Sequence, residues 1–540
     1  MAQPAMFVRK ASGLVRSWSL FDGFIYSFFS VNLVTLGFYI FSFAPFIPEG
    51  NLLTAILISG VFIIFQVFVY ALMVAVMPRA GGDYVWQSRI LGGGIGFVLS
   101  ITGWGWILWH WVPLYGNMLA YNVFTPILGI LGGWTNSEAL TNSASWFVTP
   151  NGLFVSALVV IVLAFIYVSL GMHWYARIQK FCFYLGMAGI ATMIVMMLAN
   201  SRADFISGFN QYAATFFAAG EGDIYKQILT AAAAEGYVAP PLSRISVGAS
   251  LALIPMVVFF NLWPNWGATL YGEVRGASDF KRNFWSMATG LIATTVLAFI
   301  VLLLMSRVIG WDFYNAANFT FFAGTSPFGF FPYPALLVSF LTDSPILQLW
   351  LLISMSAWFF GWCGTVFLSS TRVIFAAAFD RILPEWLARV STKYRAPVNA
   401  LLLMAIPAVI ISAGMNFNEN LAALTLNSTL VIAVTYLGTT IAAIILPYKD
   451  PELYQASPIA RLKVCGLPLI TVSGVIFGVF LLFLFYMWMT DAVYGVNSPT
   501  SYIYMGILYL ISTAIYIISK WFRKRQGIDL QEIHKSIPVE

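Results

Sequence analysis

Charged positions along the 540-residue chain stand far apart, and the gaps between them define its elements. Thirteen stretches longer than 20 residues carry no Asp, Glu, Lys or Arg: 23–48, 50–78, 90–137, 139–176, 181–201, 245–272, 283–306, 313–342, 344–371, 396–418, 420–448, 464–490 and 492–519. A helix that crosses the hydrocarbon core of a bilayer needs about 20 mostly apolar residues. Twelve of the stretches predict such helices. The stretch 313–342 reads instead as loop, because Asn318-Phe-Thr-Phe-Phe-Ala-Gly-Thr-Ser-Pro-Phe-Gly329 and the prolines at 332 and 334 punctuate it.

Basic residues test this count, since Lys and Arg gather on the cytoplasmic side of membrane proteins. With the N-terminus in the cytoplasm, 23 of the 27 Lys and Arg fall on that side, and only Arg202, Lys226, Arg244 and Arg307 fall outside. One span more or fewer scrambles the partition. The chain therefore divides into an N-tail (1–19), five helices (20–200), an outer loop (201–247), five helices (248–448), two further helices (464–520) and a C-tail (521–540). Both tails are expected in the cytoplasm. The outer loop has room for a short surface helix around Ala231–Ala234. The first apolar stretch runs on to about Phe46, too long for the core of a signal peptide, and reads as a retained helix.

Composition agrees. The chain is 60% hydrophobic and 9% charged, with a mean hydropathy of +0.84, whereas soluble domains carry about 25% charged residues. A soluble enzyme, a disordered chain and a nucleic-acid binder are all excluded, and the partner is a lipid bilayer. The net charge of +6 is accounted for by the basic cytoplasmic loops. Cys182, Cys363 and Cys465 are ungrouped, so neither a disulfide framework nor a metal site is implied. Nothing calls for a cofactor. His110 is the clear ionisable residue within a span, and no acidic residue is placed deep in the core. Without a carboxylate partner His110 does not form a nucleophile–base pair, and an enzyme fits poorly. Asp22, at the entry of the first helix, reads as a cap or an ion-pair partner.

Two helices are internally weakened. The first carries Ser30-Val-Asn-Leu-Val-Thr-Leu-Gly37 near its middle; the sixth carries Phe259-Phe-Asn-Leu-Trp-Pro-Asn-Trp-Gly267. Proline removes a backbone donor, glycine is a poor helix former, and freed backbone groups in lipid cost several kcal/mol each. Such breaks survive where they line a protected cavity, and paired breaks at corresponding positions point to the midplane site of a carrier. They fall five helices apart, an odd number, which implies an inverted repeat of five plus five helices followed by two more. A saturable carrier is the favoured class; a channel or a membrane sensor are the alternatives from other classes.

Three segments resemble the amino acid permeases of the amino acid–polyamine–organocation superfamily, which have the leucine-transporter-type fold. Met77-Pro-Arg-Ala-Gly-Gly-Asp-Tyr-Val-Trp-Gln-Ser-Arg89 is similar to the family's loop after helix 2. Tyr271-Gly-Glu-Val-Arg275 is similar to its close of helix 6, and Ser370-Thr-Arg372 through Phe379-Asp-Arg-Ile-Leu-Pro384, with Arg395-Ala-Pro397, to its signature after helix 8. The resemblance spans about residues 12–450. It implies an all-α membrane protein of twelve helices, helices 1 and 6 interrupted, that moves amino acids by alternating access. A polyamine or other organic amine is the alternative cargo.

The resemblance also implies roles. Backbone N–H groups where helix 1 unwinds would hold a substrate carboxylate, and carbonyls exposed in helices 1 and 6 would hold its ammonium. The expected substrate-binding residues are Ser30, Asn32, Thr35, Leu36 and Gly37 on helix 1, Phe260, Asn261 and Trp263 on helix 6, and Trp358 and Trp362 on helix 8. This chain departs from the family in having Thr35-Leu36-Gly37 where Gly-Ser/Ala-Gly is usual, and Trp263 where helix 6 usually has glycine. Sodium-coupled relatives have a Ser/Thr pair in helix 8; Trp362-Cys-Gly-Thr365 offers one hydroxyl. Some proton-coupled relatives place a lysine in helix 5, where Gly186 stands here. The expected carrier is thus uncoupled, exchanges a counter-substrate, or is linked to protons through another group, with His110 the candidate.

Overall fold

The computed structural model describes residues 14, 16–217, 219–418 and 427–537. Most of the N-tail and residues 538–540 of the C-tail lie outside the described residues, as does Glu419. Among the described residues, twelve helices are long and apolar enough to cross a membrane. Spans 1 to 5 are Leu20–Phe41, Leu52–Val76, Gly93–Thr135, Pro150–Ser169 and Gly171–Ala199. Spans 6 to 10 are Val247–Glu273, Phe280–Ala323, Pro345–Phe379, Val398–Phe417 and Asn427–Lys449, and spans 11 and 12 are Leu469–Thr490 and Pro499–Arg525.

Local sequence sets the starts of these helices. The first amides of a helix lack intrahelical acceptors, and a side-chain oxygen just before them supplies one. Asn51 caps span 2 through the Thr54 amide at 2.9 Å, Thr149 and Ser344 cap spans 4 and 8 ahead of a proline, and Ser498 does the same for span 12. At span 1, Ser19 and Asp22 cap each other reciprocally, and Asp22 also meets Lys180 at 2.7 Å. Asp22 is thus both cap and ion-pair partner.

Burial sorts the spans into centre and rim. Along their apolar stretches spans 1 and 8 are 89% buried, and span 12 only 22%. The rim faces outward with large apolar residues such as Leu57, Phe181, Val195, Ile410, Leu482 and Leu510, a surface that suits lipid and not water. The first and last described segments lie at one face, called here the terminal face: Trp18 pairs with Val274, and Arg89 reaches the Ser536 carbonyl.

Two expectations need correction. The stretch 313–342 is not all loop: span 7 continues through a wide turn at Ser306–Gly310 into a helix Trp311–Ala323, and Pro334–Ser339 adds another short one. Arg202 binds Asp312 and stacks near Tyr225 at the far face, so the charges at 307 and 312 sit on a helical extension. The outer loop likewise holds two helices, Arg202–Phe217 and Ile224–Ala234, where one short helix was expected.

Candidate functional site

Span 1 breaks where its polar stretch predicts. The first half, Leu20–Ser30, ends as the Val31 amide bonds to Ser27 O at 3.0 Å. Asn32 starts the second half: its Oδ1 accepts from the Thr35 amide at 2.8 Å, and its Nδ2 donates to Trp358 O on span 8 at 2.9 Å. A wide turn, Leu33–Gly37, follows. A half-helix therefore begins at the centre of the protein, with its opening amides lacking an acceptor inside the helix. Ser30 bonds back to Tyr26 O, while Thr35, Leu36 and Gly37 are buried on the new half-helix.

Span 6 breaks beside it. Val247–Asn261 stops at Leu262 and Trp263, and a tighter helix, Pro264–Glu273, continues. The carbonyls freed by the break are met individually. Leu262 O accepts from Gln66 Nε2 at 3.2 Å, Pro264 O from Ser27 Oγ at 3.1 Å, and Phe259 O from the Trp263 indole at 2.7 Å. Trp263 thus satisfies a freed carbonyl from within the broken span itself. Asn261 Nδ2 donates to Ser59 Oγ at 2.8 Å, leaving its Oδ1 without a donor among the described residues. The breaks touch: a Cβ on Gly37 would lie 3.2 Å from the Phe260 ring.

Spans 3 and 8 wall this centre with aromatic rings. Trp358 lies over Phe28 at 4.9 Å and donates its indole N–H to Gly186 O on span 5 at 3.0 Å. Its ring occupies the place where a side chain at 186 would go. Trp362 stacks on Tyr115 of span 3, and Trp111 meets Phe259, Trp263 and Trp266 at 5.3, 5.0 and 5.5 Å. The Thr365 carbonyl is taken by the Tyr26 hydroxyl at 3.1 Å, and the Thr365 hydroxyl faces Tyr115 at 3.4 Å.

Nine of the ten expected binding residues, Ser30, Asn32, Thr35, Leu36, Gly37, Phe260, Asn261, Trp263 and Trp358, lie at or beside the two breaks, and Trp362 joins them through Tyr115. Neither Tyr115 nor Trp111 is among the residues expected from the sequence. The signal was there: positions 111 and 115 share one helical face. His110 is one residue, or about 100°, round from Trp111, and it faces away from the breaks, bonding to the Tyr504 hydroxyl of span 12 at 2.8 Å.

A cavity of about 420 Å³ lies on the side away from the terminal face, lined by Tyr39, Phe43, Pro113, Asn117, Asn416 and Phe259 among others. None of the ten residues lines it. Phe259 forms its floor, and Trp111 stacks behind that ring. At the terminal face a recess of about 560 Å³ beside Ser17, Met172, Glu273 and Tyr394 ends against spans that are tied together. Glu273 O accepts the amides of Ser17 and Trp18 at 3.0 and 3.2 Å, Gly81 N donates to Thr269 O at 2.8 Å, and Arg372 grips Glu273 with two bonds of 2.7 and 3.2 Å. Both charges of that last pair are wholly buried.

A further correction concerns acids. Asp83 lies in the turn between spans 2 and 3, yet it is completely buried. Its carboxylate accepts from Tyr70 at 2.6 Å, Thr439 at 2.5 Å and the Trp104 indole at 3.0 Å. Burial pushes its carboxyl up to about 6, although all three donors favour the anion. Among the described residues no three His, Cys, Asp or Glu come together as a metal site.

The family model described as "Amino acid permease" matches residues 21–512. No curated protein matches the chain.

Proposed function

The chain belongs to the amino acid permease family, a family of transporters for amino acids or related organic compounds, and from that premise we propose that it carries amino acids across the cell membrane by alternating access around the breaks in spans 1 and 6. One observation carries the reading: two interrupted helices touch at the centre of the protein, beneath a cavity on one side and behind a terminal face whose spans are tied together. The opening amides of the second half of span 1 favour a carboxylate, and Asn261 Oδ1 offers an acceptor to an ammonium. No Asp or Glu occurs in 27–37, 258–267 or 358–365, which favours an amino acid, with its own negative charge, over a polyamine.

In this reading spans 1–5 and 6–10 are two copies inserted in opposite directions, and both chain ends are cytoplasmic. The distribution of Lys and Arg supports that orientation. A cysteine placed at Gly222 is expected to label only from outside the cell, and one at Gln526 only from the cytoplasm; labelling of Gly222 from within rejects the twelve-span arrangement.

The carrier is not driven by sodium. Sodium takes several oxygen ligands, and the one hydroxyl of Trp362-Cys-Gly-Thr365 and its carbonyl are engaged by Tyr115 and Tyr26. Proteoliposomes loaded without substrate and given a mixture of radiolabelled amino acids should show saturable uptake that an imposed sodium gradient leaves unchanged. Accumulation driven by sodium overturns this part of the reading. Flux that rises linearly without saturating overturns the carrier itself in favour of a channel.

A further inference from the structure

The turn that carries Asp83 is pressed into the protein from two sides. Gly81 and Gly82 take φ values of +95° and +37°, which side-chain-bearing residues rarely adopt. A Cβ on Gly81 would lie 2.5 Å from Ala376 of span 8, and one on Gly82 would lie 3.0 Å from Ala268 O of span 6. The chain has no room to move outward, and the next residue, Asp83, opens the helix Asp83–Ile90 with its side chain directed into the core.

Three spans meet on that side chain. Tyr70 of span 2 and Thr439 of span 10 share Oδ1, and Trp104 of span 3 holds Oδ2. All three donors are neutral. The titratable groups facing Asp83 are the hydroxyls of Tyr70 on span 2 and Tyr436 on span 10; span 3 presents only the indole. On its own helix Tyr84 and Arg89 turn to Asp380, and on span 8 Arg372 turns to Glu273 of span 6. An uncompensated buried carboxylate is costly, which is why proteins pair such groups or let them take up a proton.

The donors suit both protonation states. A hydroxyl can reverse and accept, whereas an indole only donates. A proton on Oδ1 is therefore accepted by Tyr70 or Thr439 after rotation, while Trp104 keeps Oδ2. Trp104 in turn stands edge-on to Trp266 at 5.4 Å, and Trp266 donates to Tyr436 OH at 2.9 Å. Trp266 lies in the half of span 6 just past the break. The state of the carboxyl is thus one ring away from the helix that must move.

We propose that Asp83 is the proton-binding group of this carrier: it takes up one proton from water in one state of the transport cycle and releases it on the other side after the second half of span 6 has moved. The ionised form needs its three donors together and so fixes Trp104 against Trp266; the protonated form tolerates their separation. This assignment rests on the transport reading above and replaces His110, whose ring meets span 12, as the coupling group.

The test has one arm that needs no substrate. Infrared difference titration of the purified protein should show a buried carboxylic acid losing its proton near neutral pH, with the signal absent from Asp83→Asn and present in His110→Gln. Trp104→Phe removes a donor to the anion and should move the midpoint upward. The second arm uses proteoliposomes and the radiolabelled amino acid mixture. An inward proton gradient should drive accumulation by the unmodified protein and by His110→Gln, whereas Asp83→Asn, checked for an unchanged elution profile and thermal unfolding, should exchange amino acids without accumulating them. If Asp83→Asn does not fold, the Trp104→Phe shift decides. A carboxyl that stays ionised through the range of about pH 5–8, an unmoved midpoint in Trp104→Phe, or undiminished accumulation by folded Asp83→Asn each overturns the proposal. Unmodified protein that moves no amino acid overturns the transport reading instead, and the infrared titration then judges the carboxyl by itself.

Discussion

Arg372→Met is expected to open the terminal face. Arg372 and Glu273 are both wholly buried and bonded twice, and removing one partner leaves a lone charge in the core, at a cost of about 3–5 kcal/mol. Glu273 also anchors the N-terminal segment, because its backbone carbonyl receives the amides of Ser17 and Trp18. The cheapest relief is to let water reach the carboxylate, and the way to do so is to separate span 6 from span 8. A cost of that size shifts a two-state equilibrium by more than about 100-fold. A cysteine at Thr269, buried and covered by Gly81 in the closed form, reports the change in a Cys465→Ser background. It should react slowly in the parent protein and quickly in Arg372→Met. Replacing both residues by Met removes the stranded charge, and well-packed apolar substitutes for a buried pair are often neutral or stabilising, so the double variant should be protected again. Equal reactivity in parent and single variant would mean that the pair does not hold this face shut.

How much of this was legible beforehand follows from what each signal depends on. The spans were legible because lipid forbids charge, and charge is visible residue by residue. The stretch 313–342 reads as loop from its turn residues and prolines, yet its first part is helix, joined to span 7 through Ser306–Gly310 and held by partners of Arg307 and Asp312 that the local sequence does not reveal. The break at Pro264 was legible because proline cannot continue the hydrogen-bond ladder. The interruptions at Gly105 in span 3 and at Cys363-Gly364 in span 8 were not, because a lone glycine in a helix costs only about 1 kcal/mol and need not break it.

The burial of Asp83 is the clearest case of information the local sequence lacks. Its three donors come from positions 70, 104 and 439, and no window around residue 83 contains them. The spacing of charges places it between the second and third spans, and nothing in that stretch shows that its side chain turns inward. His110 shows the converse. Its chemistry stood out in the sequence, but an offset of one residue on the helix decides that Trp111, and not His110, looks toward the breaks.

Gly37→Leu should weaken substrate binding without unfolding the protein. Gly37 ends the wide turn of span 1, and its amide bonds to Asn32 O at 2.9 Å. A Cβ there would lie 3.2 Å from both Leu33 Cδ1 and the Phe260 ring, so alanine requires the neighbours to yield by a few tenths of an ångström. Leucine requires far more and must displace Phe260, the contact through which the two breaks meet. Overpacking of this kind costs about 1–3 kcal/mol, which the protein can absorb but which corresponds to roughly 5- to 150-fold in binding. Trp263→Ala acts differently. It empties the space beside Trp111 and leaves Phe259 O without its indole donor, so larger side chains should gain relative to small ones while total uptake survives. Thermal shift against single amino acids separates the two effects, since a ligand at 100 times its Kd adds about 2.7 kcal/mol: Gly37→Leu should shrink the shift for every amino acid that stabilises the parent, and Trp263→Ala should reorder the series. Parent-like shifts and uptake kinetics in both variants would remove the substrate from the junction of spans 1 and 6.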